Sequence, residues 1–174
     1  NAYYSDAAAE LYNQNNAEKA REYLAAAGYG NEPIRFMLLS SEDTISRAVV
    51  TAGAQLQRAG MNVVIESYDL GTWVAKRRDA TAYELFASEG VQPDPLLWGT
   101  TLGGQWPGEE VAFKDAEISA LLEKLASEAD FAARQALAAE MQRLVYERVA
   151  FVPMGWHHRL RAKRTTVLDP ANVL

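Results

Sequence analysis

An alternation of helix-forming and strand-forming segments constrains the fold of this 174-residue chain more than any other feature. Three runs rich in β-formers each follow a segment patterned as a helix, and successive runs begin about 25 residues apart. Parallel strands need a crossover connection of this length, which is usually a helix. The alternation therefore predicts an α/β domain whose strands are joined by right-handed parallel crossovers.

Boundary signals in the first half place each of these elements. Asn16 is a suitable N-cap for a helix over 17–27, and Gly28 can close that helix. Ser41, followed by two acidic residues, opens a second helix that Gly60 ends. The predicted strands are 34–39, 62–68 and 83–87, with a short helix over 71–78 before the third. The first helix has its apolar face at Ala20, Tyr23, Leu24 and Ala27.

The second half predicts two more helices, capped by Asp115 and Asp130, that pack around the sheet. Residues 151–154 and 158–166 are predicted to form an edge hairpin, because Pro153 has no amide hydrogen to give a central strand. We therefore expect a single domain over 1–174. Its fold class is a three-layer-like α/β lobe with a mixed, largely parallel sheet, flanking helices and a C-terminal edge hairpin.

Composition narrows the functional classes. The formal net charge of −6 argues against binding to nucleic acid, which needs a basic surface. The chain has no cysteine, so thiol catalysis, thiolate metal sites and disulfides are excluded. No apolar run approaches the roughly 20 residues of a membrane span. The chain opens on Asn1 rather than Met, and we expect it to be a processed chain or a piece of a longer one.

The loop after the third predicted strand is the strongest candidate for a ligand site. Gly90 breaks the strand, and Pro93 and Pro95 stiffen the loop because each restricts its own backbone and that of the residue before it. Loops at the carboxyl ends of strands are where α/β proteins tend to hold ligands. We expect ligand contacts from this loop and from the turn of the C-terminal hairpin. The candidate ligand-binding residues are Glu89, Gln92, Asp94, Trp98, Trp156 and His157.

Two other functions remain open from the residues alone. Glu89 and Asp94 could act as paired carboxylates of a small hydrolase-like enzyme, although no known catalytic motif accompanies them. Alternatively, Trp106 and the glycine-rich stretch around it could be the contact surface of a stand-alone interaction domain. No metal or other cofactor is expected, because His157 and His158 are neighbours on a predicted strand and face opposite ways.

Several motifs, taken in order, resemble a known family. These are Tyr12-Asn13 followed by NAEKAR at 16–21 and Ala27-Gly28-Tyr29, then the Y-E-L-F strand at 83–86, the Pro93-Asp94-Pro95 turn, and F-V-P-M at 151–154. Together they are similar to the family 5 extracellular solute-binding proteins, the peptide and oligopeptide receptors of ABC importers. The similarity runs over nearly the whole chain and corresponds to the C-terminal lobe.

The resemblance implies a binding function without catalysis. The chain would be one lobe of a periplasmic or extracellular receptor that closes on a small solute. The expected solute is a peptide or a peptide-like molecule. Its partners would be that solute, the N-terminal lobe of the same parent chain and an ABC permease. The family's acid for a peptide α-ammonium would correspond to Glu89 or Asp94, and a family aromatic to Trp156 or His157. The loop is shorter here than in the family and lacks the tryptophan that often follows the strand.

Overall fold

The computed structural model describes residues 2–79, 81–88 and 115–155. The described helices are α1 Ala17–Ala26, α2 Asp43–Arg58, α3 Leu70–Arg77, α4 Ala116–Ser127 and α5 Phe131–Glu147. The described strands are β1 Ile34–Leu39, β2 Val63–Tyr68 and β3 Leu85–Phe86. A single 3-10 turn, Ala9–Leu11, precedes α1. The order of these elements is the predicted one.

The three described strands form one parallel sheet in the order β2-β1-β3. Successive residues of β1 face opposite sides of this sheet. Phe36 and Leu38 pack in a cluster with residues of α2, whereas Met37 and Leu39 pack in a cluster with Trp73 of α3. The two crossover helices thus cover opposite faces, and the predicted α/β fold class is confirmed.

Strand β3 is shorter than predicted. It comprises only Leu85 and Phe86, which pair with Phe36 and Met37 of β1. The flanking Tyr83 and Ala87 are buried but lie outside the ladder. The run of β-formers therefore predicted correctly that Tyr83 and Ala87 are buried. It did not predict how many of its residues pair with β1, because that number depends on the tertiary structure.

Helices α4 and α5 pack mainly on each other, which differs from the expectation that they pack around the sheet. Their buried residues form a cluster that shares no member with the two clusters beside the sheet. Its members are Ile118, Leu121, Leu125, Ala138, Met141, Leu144 and Val145. Tyr3, from the start of the chain, and Phe151 lie against this cluster. The apolar stripes of the two helices are therefore buried mainly against each other.

The N-terminal segment is tied to α5 by side-chain hydrogen bonds. Gln135 Nε2 donates to the backbone oxygen of Ala2 at 2.7 Å. Gln142 Nε2 donates to the backbone oxygens of Ser5 at 3.1 Å and Ala7 at 2.8 Å. These bonds join parts of the chain more than 130 positions apart, so the first residues belong to the helix pair rather than to the sheet.

The predicted N-caps of α1 and α5 are confirmed by their hydrogen bonds. Asn16 Oδ1 accepts from the backbone N–H of Lys19 at 2.9 Å, and Asp130 Oδ1 accepts from that of Ala133 at 2.8 Å. Each cap satisfies an N–H group that has no partner within its helix. Helix α2 begins later than predicted, with Glu42 at its N-cap position and no side-chain capping bond.

The carboxyl end of α5 contains a strained residue. Val149 has a φ of 51° in the left-handed region, and the next amide, that of Ala150, donates to the backbone oxygen of Val145 at 3.0 Å. The same closing turn ends α1 and α2, where the left-handed position holds Gly28 and Gly60. A β-branched residue in this conformation crowds its own backbone, whereas glycine does not.

We expect Val149→Gly to raise the free energy of unfolding by about 0.5–1 kcal/mol, because it relieves this strain. The valine side chain is 65% exposed, so little packing is lost. Urea denaturation followed by circular dichroism measures the change. Val152→Gly is the matched control, because Val152 is 69% exposed and its φ is not positive. An unfolding free energy no higher than wild type in Val149→Gly would contradict the assignment of strain.

Candidate functional site

The carboxyl edge of the sheet is the candidate site, because open parallel sheets bind ligands outside the carboxyl ends of their strands. Strands β1, β2 and β3 end there at Leu39, Tyr68 and Phe86. The central strand β1 lies between the other two. Any ligand at this edge would therefore meet the loops that follow all three strands.

The loops after β1 and β2 bond to each other. Ser40 donates to the backbone oxygen of Tyr68 from both its N–H and its Oγ, each at 2.9 Å. Ser46 Oγ, in the first turns of α2, donates to the backbone oxygen of Leu39 at 2.9 Å. These bonds occupy the terminal carbonyl groups of β1 and β2. They therefore fix the backbone at the ends of these two strands relative to each other.

Asp69, the acid directly after β2, is occupied by helix capping. Its carboxylate accepts from the Thr72 hydroxyl at 2.7 Å and from the Thr72 backbone N–H at 3.1 Å. The hydrogen bond from the Thr72 side chain, followed by that from the Thr72 backbone, lowers the pKa of Asp69. Because the carboxylate closes the first turn of α3, it is a poor candidate for a ligand acid.

Aromatic rings hold β3 against α3. Phe86 makes an edge-on contact with Trp73 at a centroid distance of 5.8 Å and another with Tyr83 at 5.4 Å. The Arg77 guanidinium carbon lies 4.9 Å from the Trp73 ring centroid. Trp73 is 4% exposed and belongs to the core. The cluster locates the end of β3, and thus the start of the loop after it.

An ion pair that the sequence analysis missed lies at the opposite, amino edge of the sheet. The guanidinium of Arg35, in β1, binds both carboxylate oxygens of Glu84, which precedes β3. Arg35 also donates to the backbone oxygen of Thr81 at 2.9 Å. The one signal in the sequence was an arginine inside the apolar strand IRFMLL, which is unusual for a residue next to buried positions.

All six predicted site residues lie outside the described part of the chain. They are Glu89, Gln92, Asp94, Trp98, Trp156 and His157. The described residues nearest to them are the end of β3 up to Ser88 and the segment ending at Gly155, which follows α5 without regular secondary structure. The prediction that residues 151–154 form the first arm of an edge hairpin is therefore wrong, since this segment, whose Pro153 has no amide hydrogen to pair, forms no strand. The second arm, 158–166, and the contacts of the six residues lie outside the described residues and stay predictions.

Within residues 2–79, 81–88 and 115–155, no cluster of three or more acidic, histidine or cysteine residues could hold a metal ion. In the same ranges, no helix has both the length and the apolar character needed to cross a membrane.

The chain is similar to a curated relative, the probable peptide ABC transporter periplasmic-binding protein y4tO of Sinorhizobium fredii. The two are 28% identical over 146 residues, which cover 79% of this chain but only 28% of the relative. No family model matches the chain. The chain thus spans less than a third of the length of this relative.

Solved structures of transporter binding proteins share the fold. The ABC transporter substrate binding protein CtaP of Listeria monocytogenes matches with a TM-score of 0.71 at 18% identity, over 85% of this chain and 31% of that one. DppA of Helicobacter pylori, in complex with peptide STSA, matches with a TM-score of 0.65 at 25% identity, over 83% of this chain and 30% of that one. The periplasmic binding protein MelB of Agrobacterium fabrum, in complex with stachyose, matches with a TM-score of 0.62 at 18% identity, over 78% of this chain and 25% of that one. The resemblance to part of a periplasmic solute-binding protein is confirmed.

Proposed function

We propose that this chain is one lobe of a two-lobed solute receptor that captures a peptide-like ligand and delivers it to an ABC permease in the periplasm. The similarity to the peptide-transporter relative, which extends over 79% of this chain, is the observation that carries the proposal. The share of that relative covered, 28%, is in keeping with a lobe rather than a whole receptor. A second lobe in the same parent polypeptide would supply the other half of the site.

The described edge of the sheet supports a binding role for the loop after β3. In the loop after β2, the carboxylate of Asp69 caps α3 and is therefore a poor candidate for a ligand acid. Glu89 and Asp94 follow β3 and are the acids we propose for the α-ammonium group of a bound peptide. Closure of a second lobe would exclude water and strengthen that charge interaction.

We propose no catalytic step, since binding proteins of this kind only hold and release their solute. The relatives named above are all named as binding proteins or transporter components. The paired-carboxylate enzyme and the Trp106 interaction surface considered from the sequence depend on Glu89, Asp94 and Trp106, which lie outside the described residues, so both stay untested hypotheses.

The test uses the full-length product of the gene that encodes this chain. Native mass spectrometry with a pool of random tri- to pentapeptides, followed by calorimetric titration, should detect retained peptides with a Kd of about 1 µM or tighter. The tetrapeptide STSA and the sugar stachyose serve as defined probes of the two ligand classes found in the solved structures. Retention of stachyose but no peptide would overturn the peptide assignment.

A second comparison tests the acid. N-acetylation of a bound peptide removes its α-ammonium charge, and we expect binding to weaken at least tenfold because the acid is left unpaired. Glu89→Gln and Asp94→Asn, made separately, identify which acid is involved. Glu123→Gln, an exposed change on α4, is the matched control. Equal affinity for free and N-acetylated peptides would contradict a role for either acid.

A further inference from the structure

Strand β3 is too short to hold its own position. Only Leu85 and Phe86 pair with β1, whereas β1 and β2 pair over six positions. A two-residue ladder contributes few hydrogen bonds, and register in a sheet is normally specified by longer patterns or by turn geometry. The position of β3, and of the loop that leaves it, therefore depends on contacts outside the ladder.

Arg35 and Glu84 supply such contacts immediately before β3. The Glu84 carboxylate accepts from the Arg35 backbone N–H at 2.6 Å and from Arg35 Nε at 3.0 Å, and also binds the other end of the guanidinium. In return the Glu84 backbone N–H donates to the backbone oxygen of Arg35 at 3.1 Å. Main chain and side chain of each residue are thus bound to the other residue.

A third contact extends this anchor along the chain. The Arg35 guanidinium also donates to the backbone oxygen of Thr81 at 2.9 Å. The arginine therefore fixes both Thr81 and Glu84 to β1 with one planar group. A bidentate arginine–carboxylate pair has a defined geometry that a lysine could not reproduce.

We propose that the Arg35–Glu84 pair is a positioning element for ligand binding, which fixes the start of β3 and, together with the aromatic contacts of Phe86, the point from which the following loop leaves the sheet. Neither residue touches the carboxyl edge itself, so the pair acts through β3. The inference rests on the proposed function, because its effect is measured on bound solute. The hydrogen bonds from Arg35 also lower the pKa of Glu84, so the pair persists to a more acidic pH than an unpaired glutamate would allow.

The test is Glu84→Gln in the full-length protein, which keeps the size of the side chain but removes its charge. We expect affinity for STSA, or for peptides retained from the pool, to fall at least tenfold. Hydrogen exchange of the peptide spanning 84–88 should accelerate at least tenfold, while exchange around Met141 in α5 stays unchanged. A merely stabilising pair would alter global unfolding but would leave the affinity of the folded protein unchanged.

Glu147→Gln is the matched control. Glu147 pairs with Arg143 at 2.8 Å on α5, and its side chain is 41% exposed against 42% for Glu84. Its loss should change neither affinity nor exchange at 84–88. Equal affinities in Glu84→Gln and Glu147→Gln would overturn the positioning role while leaving the proposed function standing. A wild-type protein that retains none of the probes would overturn the proposed function and, with it, this inference.

Discussion

The substitution Val49→Asp should prevent the sheet from folding, whereas Val50→Asp, one position further along α2, should leave the protein folded. Val49 is completely buried against β1 and β2, while Val50 is 52% exposed. A carboxylate at position 49 would lie in the cluster formed by Phe36, Leu38 and Val63 without a partner for its charge. Burial of an unpaired charge costs several kcal/mol, which is comparable to the whole stability of a domain.

Both variants introduce the same residue into the same helix, so helix propensity cancels in the comparison. Far-UV circular dichroism and the yield of soluble protein measure the outcome. We expect a loss of the cooperative unfolding transition at position 49 and a change within about 0.5 kcal/mol at position 50. A folded Val49→Asp variant with near wild-type stability would show that α2 does not cover the sheet in this way.

Leu125→Ala should lower the free energy of unfolding by about 2–5 kcal/mol. Leu125 is fully buried between α4 and α5, where it belongs to the same cluster as Met141. Truncation removes apolar contacts and leaves a cavity that two helices braced by the N-terminal segment cannot easily close. Urea denaturation gives the magnitude.

Leu70→Ala is the control for this second prediction, because Leu70 is the first residue of α3 and is 56% exposed. The same chemical change there should cost less than about 0.5 kcal/mol. If both substitutions cost the same, the core between α4 and α5 would not be packed as described. Because this core shares no residue with the clusters beside the sheet, hydrogen exchange in Leu125→Ala should accelerate first in α4 and α5.

Local patterns were a reliable guide to most elements. The apolar run of β1 was predicted with its observed bounds, and the capping roles of Asn16, Asp115 and Asp130 are confirmed. These features depend on interactions within a few residues, such as a carboxylate that accepts from an amide three positions later. Such interactions are visible in the sequence because both partners are close together in it.

Other features required partners that are distant in the sequence. The apolar face predicted for α1 is an example, because α1 contains no buried residue and Tyr23 is 65% exposed beneath Lys19. Its amphipathic pattern indicated a helix correctly, but the pattern alone could not indicate what that face would meet. The bond from Arg21 to the backbone oxygen of Arg58 at 3.0 Å shows that the helix is also held by polar contacts.

The amino-acid sequence by itself determined the order of the helices and strands, because the periodicity of apolar residues and the capping of helices are local properties of the chain. The length of the connections indicated the parallel crossovers, and the ordered motifs indicated the resemblance to solute-binding proteins. Only the tertiary structure decided that β3 has two ladder residues, that α4 and α5 form a core of their own, and that Glu84 binds Arg35 across 49 positions. Those outcomes depend on which surfaces meet in space. Spacing along the chain does not encode that information in a form that a single sequence reveals.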